Sequence, residues 1–180
     1  HGVTLIEDVA QTTLGNYKGK RAGSIGDVGT FSFNSSKLLA THVGGAITTS
    51  DEKLDEGIRL FAVDRGAVYT HDGGRSSRYH PSYGFNYRLG LMEAAVAIAN
   101  LEVLPEQNRL RVERAEKLTA KLNGIDGIVT PKVEVEDSHL YWMYHVQFER
   151  EKFRVEMDQI ERALIAEGIN GMFAMYYLIP

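Results

Sequence analysis

Three short apolar runs in the first fifty residues each end in polar residues. Residues 3–6 (VTLI) close on Glu7-Asp8, residues 28–33 (VGTFSF) on Asn34-Ser35-Ser36-Lys37, and residues 45–49 (GAITT) on Ser50-Asp51. Runs of this length, bounded by turn residues, read as strands, the first of them buried. After the third, the pattern predicts a helix to about Ala62. Asp51 is its N-cap, and Leu54, Ile58 and Phe61 recur on one face. Strands alternating with helices imply an α/β layer with a mostly parallel sheet. In such sheets a ligand sits outside the carboxyl ends of the strands. Asp8 and Lys37 both fall at such ends.

Residues 16–27 (NYKGKRAGSIGD) are rich in Gly, Lys and Ser and read as loop and turn. Residues 65–82 are polar and Gly-rich, without hydrophobic periodicity, and long for a connection. Such loops are usually functional or mobile. The strongest helical pattern covers residues 91–123, with Pro105 predicted to kink or break it. The domain change is placed there, dividing the chain into residues 1–105 and a smaller α+β part, 106–180. In that second part VTPKV and LYWMYHVQF read as strands, residues 155–167 as an amphipathic helix ended by Gly168, and residues 172–178 as strand-like.

Composition narrows the function classes. The 180 residues are 43% hydrophobic and 24% charged, an ordinary globular balance. A net charge of -4 lacks the basic face that nucleic acid requires. There is no cysteine, hence no thiolate nucleophile and no disulfide framework, which fits a cytoplasmic setting. The longest apolar stretch, residues 94–104, is broken by Asn100 and Glu102 and is too short for a bilayer. The histidines show no HExxH or similar pairing, so no metal site is predicted. The chain opens on HGVTLIED without Met and stops at YYLIP, and so reads as a segment of a longer protein.

An acid, an amide and an amine at strand ends suggest one chemistry among several. Asp8 and Gln11 in EDVAQ are spaced to face the same way on a helical turn. A carboxylate beside a pyridine nitrogen keeps it protonated and makes pyridoxal phosphate an electron sink. A lysine within reach of the cofactor aldehyde bonds to it and, when released, moves protons between carbons. Ser32 and Ser35 offer hydroxyls to a phosphate. Each feature also has a plainer reading: a carboxylate at a helix start, a Gly44-Gly45 turn, a surface lysine. The residues alone lead as far as an α/β ligand-binding domain with an acid and a lysine at its ligand edge.

Longer motifs go further. LIEDVAQTTLGNYKGKRAGSIGDVGTFSFNSSK, VGGAITTSDEKL and YGFNYRLGLMEAAVAIANLEVL, in that order, closely resemble the DegT/DnrJ/EryC1/StrS sugar aminotransferases. The resemblance implies a fold-type I, pyridoxal-phosphate enzyme. Residues 1–105 would be the C-terminal part of its large domain and residues 106–180 its truncated small domain. It implies that Asp8 partners the pyridinium nitrogen, Gln11 neighbours the phenolic oxygen, Ser32 binds the phosphate and Lys37 holds the cofactor. Asn86 in GFNYR would reach the cofactor phosphate of the neighbouring subunit, in a homodimer with shared active sites. The implied substrate is a keto-sugar, nucleotide-linked, with glutamate or glutamine as amino donor. A sugar dehydratase, a keto-cyclitol aminotransferase and a non-catalytic regulatory relative stand as alternatives, and Lys37 argues against the first.

The chain also departs from the family pattern. His42 and Val43 precede Gly44-Gly45 where a Gly and an acid are usual, and Phe85 replaces a Tyr. The family's first phosphate-binding turn and its stacking aromatic are expected before His1. Arg75 and Arg78 are candidates for a substrate phosphate or are plain loop charges. Trp142 and Tyr144 are expected in the small-domain core.

Overall fold

The computed structural model describes residues 2–64, 68–72, 75–79, 83–134 and 139–169. β1 (Ile6–Asp8) is followed by a two-stranded ribbon, β2 (Asn16–Tyr17) and β3 (Lys20–Arg21), inside the stretch expected as loop. Lys18 and Gly19, at φ +47° and +76°, make the tight primed turn that joins them. β4 (Val28–Ser32) pairs parallel with β1, and β5 (Gly45–Thr48) pairs antiparallel with β4. The described sheet is therefore mixed, where the sequence predicts a mostly parallel one. The cause is the connection: residues 33–44 join β4 to β5 without the crossover helix that a parallel return needs. β1 also begins later than expected and is not buried. Val3 and Ile6 are 80% and 63% exposed, and the buried apolar residue is Val9, just past the strand.

Asp51 caps α1 (Glu52–Ile58) as predicted, its carboxylate accepting from the N–H groups of Lys53 (2.8 Å) and Leu54 (3.0 Å). The helix widens into a π-turn over Arg59–Val63. Part of the expected long loop is a hairpin of β6 (Val68–Asp72) and β7 (Arg75–Tyr79). α2 (Leu91–Leu122) then runs unbroken through Pro105. Proline lacks the N–H that would bond the carbonyl of Leu101. Leu101 and Pro105 are both exposed, so water can satisfy that carbonyl and the helix continues. No described helix is long and apolar enough to cross a membrane.

Contacts divide the chain into two compact units, His1–Glu116 with Lys132–Tyr144, and Lys117–Pro131 with His145–Pro180. In the first, Phe33, Leu39 and Leu104 form the buried core, with Leu14, Phe31 and Leu38 packed against it. In the second, β8 (Ile128–Val129) pairs antiparallel with β9 (Gln147–Phe148). α3 (Met157–Ala166) follows and stops at Gly168, whose φ of +84° suits a helix terminator. The long strand expected over LYWMYHVQF shrinks to Gln147–Phe148, because Tyr141 adopts φ +49° and turns the chain out of the extended form. The strand expected over residues 172–178 lies outside the described residues.

Candidate active site

The pleat brings two predicted residues together. Asp8 is in register with Thr30, and Ser32 lies two residues further along β4. Strand side chains alternate faces, so Asp8, Thr30 and Ser32 share one face at the carboxyl ends of adjacent parallel strands. Asp8 is exposed, and one of its oxygens accepts from the N–H of Ala10 at 3.0 Å. Gln11 follows on a tight turn closed by Thr12 N–H to Val9 C=O (3.1 Å), not on the expected helical turn, and is also exposed.

Glu7 alternates to the opposite face. Its carboxylate accepts from the backbone N–H groups of Gly23 (2.8 Å), Ile25 (2.7 Å) and Gly26 (2.7 Å). Partial burial pushes this carboxyl up, but the donors of Gly26, Gly23 and Ile25 outweigh it and hold it below its ordinary range. Glu7 therefore ties the Gly-rich segment to β1 beside Asp8. From the sequence Glu7 reads only as a residue that closes the first apolar run. The signal was available, since an acid one residue from Asp8 must face away from it.

Lys37 leaves a loop fastened at many points. At its base, Phe33 N–H donates to Gly44 C=O (2.9 Å) and Thr41 N–H to Phe33 C=O (2.8 Å). Ser35 N–H reaches His42 C=O at 3.2 Å. The Asn34 side-chain oxygen accepts from both the N–H and the hydroxyl of Ser36, each at 3.1 Å, and Lys37 N–H donates to Asn34 C=O at 2.9 Å. The run of Asn34, Ser35 and Ser36 is thus a turn in which the Asn34 side chain closes on the Ser36 backbone and hydroxyl. Directly after Lys37, Leu38 is half-buried and Leu39 is buried in the core.

One face of α2 holds this loop in place. Residues 100, 104 and 108 recur every fourth position and so lie on one side of the helix. The Asn100 amide donates to Ala40 C=O (2.7 Å), Leu104 packs with Leu39 and Phe33, and the Asn108 amide donates to Thr13 C=O (3.2 Å). His42 sits exposed at φ +82°. Gly44 has φ +122°, and a Cβ there would lie 2.5 Å from the Leu89 Cδ1 atom, so the Gly serves both backbone and packing.

Trp142 is not in a small-domain core. It belongs to the same unit as Lys37, its indole N–H donates to Ser36 C=O (2.6 Å), and the Lys37 Nζ lies 4.6 Å from its ring centroid. No pattern in the sequence pairs these residues, which are more than a hundred positions apart. Tyr144 stacks with Tyr141 in that same unit, with ring centroids 5.7 Å apart.

Asn86 is placed by its neighbours. Phe85 and Tyr87 donate backbone N–H groups to Phe61 C=O (2.5 Å) and Ala62 C=O (2.7 Å), and their rings stack at 4.9 Å. Asn86 between them is exposed. Among the described residues no hydrogen bond or ring contact joins it to Asp8, Ser32 or Lys37. Arg75 and Arg78, expected on a loop, lie on β7.

Asp8 and Ser32 therefore offer a carboxylate and a hydroxyl on one sheet face, and Lys37 offers a primary amine on the loop after β4. As a donor set they match pyridoxal phosphate, whose ring nitrogen, phosphate and aldehyde call for those three groups. Comparisons with known proteins agree. The whole chain, residues 1–180, matches the DegT/DnrJ/EryC1/StrS aminotransferase family. It is 33% identical to GDP-perosamine synthase of Caulobacter vibrioides, over 100% of this chain and 47% of that protein. It is 34% identical to UDP-2-acetamido-2-deoxy-3-oxo-D-glucuronate aminotransferase of Pseudomonas aeruginosa, over 100% of this chain and 46% of that protein. The fold superimposes on an aminotransferase from Psychrobacter cryohalolentis with a TM-score of 0.83 at 28% identity, covering 94% of this chain and 47% of that one. The chain spans about half the length of the curated relatives it matches. With the family match running over residues 1–180, this chain belongs to the DegT/DnrJ/EryC1/StrS family of pyridoxal phosphate-dependent aminotransferases.

Proposed function

We propose that this chain supplies the lysine side of a sugar aminotransferase active site. The observation that carries the reading is the register of Asp8 with Thr30. It puts Asp8 and Ser32 on one face and leaves Lys37 on the loop that follows. When bound, pyridoxal phosphate supplies an electron sink that makes a proton on the substrate carbon labile. Asp8 would hold its ring nitrogen protonated, and Gln11 would neighbour the phenolic oxygen. Ser32 donates its hydroxyl to the phosphate. Lys37 anchors the cofactor through its amine, and when displaced it takes and returns the proton at the substrate carbon. The fastened loop supports this role, because a proton carrier must be held close to its target atom.

The substrate is a keto-sugar attached to a nucleotide, and the amino donor is glutamate or glutamine. Support for the first comes from the GDP- and UDP-sugar names of the two relatives. Asn86 serves the phosphate site of a second copy, so the working form is a homodimer with shared sites. The test is turnover of nucleotide-linked keto-sugars by the complete protein with glutamate or glutamine. Lys37→Ala should lower that turnover by about 10²–10⁴-fold. A Lys37→Ala variant as fast as the parent contradicts the reading.

A further inference from the structure

We propose that Trp142 is a positioning residue for Lys37, its indole face covering the lysine amine and its N–H fastening the turn that presents it. Two separate observations meet here. The Trp142 Nε1–H donates to Ser36 C=O at 2.6 Å, which fixes the backbone one residue before the lysine. The same ring lies under the amine, with Nζ 4.6 Å from the centroid, well within the range of a cation–π contact. A lysine side chain has four rotatable bonds and is otherwise free to sweep a wide arc. The indole face narrows that arc from one side, while Leu39 anchors the chain two residues on. Tyr141, at φ +49°, bends the segment that carries Trp142.

The consequence is a parked amine. When Lys37 is free, the ring holds it near one place, shielded on one side from other reagents. The functional weight of this inference rests on Lys37 being the cofactor lysine, as proposed above. The contact itself does not rest on that, and the test separates the two.

The experiment uses the complete protein, freed of cofactor and treated with a small amount of acetic anhydride. Peptide mass spectrometry measures acetylation lysine by lysine. Exposed Lys53 and Lys121 are the internal references. An exposed cation–π contact shifts an equilibrium by about two- to fivefold, so Trp142→Leu should raise acetylation of Lys37 by about that factor. Trp142→Phe keeps a ring but loses the N–H, and should rise by clearly less than Trp142→Leu. If Trp142→Leu also lowers the thermal unfolding midpoint by several degrees, the fold has loosened, and Trp142→Met takes its place in the same measurement. Unchanged Lys37 acetylation without the indole overturns the proposal. So does a rise in Trp142→Phe equal to that of the ringless variant, since the ring would then not be the cover. Because no cofactor is present, either result leaves the role of Lys37 in turnover to its own test.

Discussion

Replacing Glu7 with Gln probes how the sheet edge is built. Glu7 receives three backbone donors, Ile25 and Gly26 on one oxygen and Gly23 on the other. A glutamine keeps one acceptor oxygen and turns an NH₂ group toward the remaining N–H. At least one donor loses its partner, and the others lose the strength that a charged acceptor gives. Hydrogen bonds to charged groups contribute about 1.5–3 kcal/mol. Because Glu7 is part-buried and not enclosed, solvent screening trims the expected loss to about 1–2 kcal/mol at neutral pH. The loss carries a pH signature. The folded Glu7 carboxyl sits below its ordinary value of 4.5. Its contribution is therefore fully present above that value and fades as pH falls through the lower, folded-state pKa. Urea unfolding of parent and Glu7→Gln across pH 3 to 7 should show two curves that are separated at neutral pH and converge in acid. Curves that coincide at neutral pH, or that stay equally separated in acid, refute the reasoning.

Leu39→Ala removes a side chain that is only 4% exposed from the cluster with Phe33 and Leu104. It should lower the unfolding free energy by about 2–5 kcal/mol in urea titration. Asp8→Asn should leave thermal stability nearly unchanged, since an amide oxygen can still accept from Ala10 N–H, yet turnover should fall; unchanged turnover contradicts the assigned role. Mixing inactive Lys37→Ala subunits with inactive Asn86→Ala subunits should restore part of the activity, because one site of each heterodimer is then intact. No recovery in a verified heterodimer rules out the shared site.

Local signals were legible in the sequence wherever one residue decides the outcome. Asp51 caps a helix because its side chain reaches the next two free N–H groups, and Gly168 ends one because it tolerates positive φ. The TFSFNSSK motif identified the loop as well, since short polar side chains after a strand have few partners other than their own backbone. Long-range packing was not legible. Pro105 reads as a break, yet its exposed position on α2 lets water take the orphaned carbonyl. β5 returns antiparallel because residues 33–44 contain no helix, which apolar runs alone do not reveal. Trp142 meets Ser36 only after the chain has folded back across more than a hundred positions. The strand expected over residues 140–148 survives only at Gln147–Phe148, because Tyr141 leaves the extended form.

Borohydride reduction of the cofactor-loaded complete protein, followed by peptide mapping, tests the central claim most directly. Reduction makes the bond between cofactor and lysine permanent, so the labelled peptide identifies the attachment site. The account predicts that the label falls on Lys37, in the peptide that contains TFSFNSSK. A label on any other lysine, with Lys37 unmodified, contradicts it.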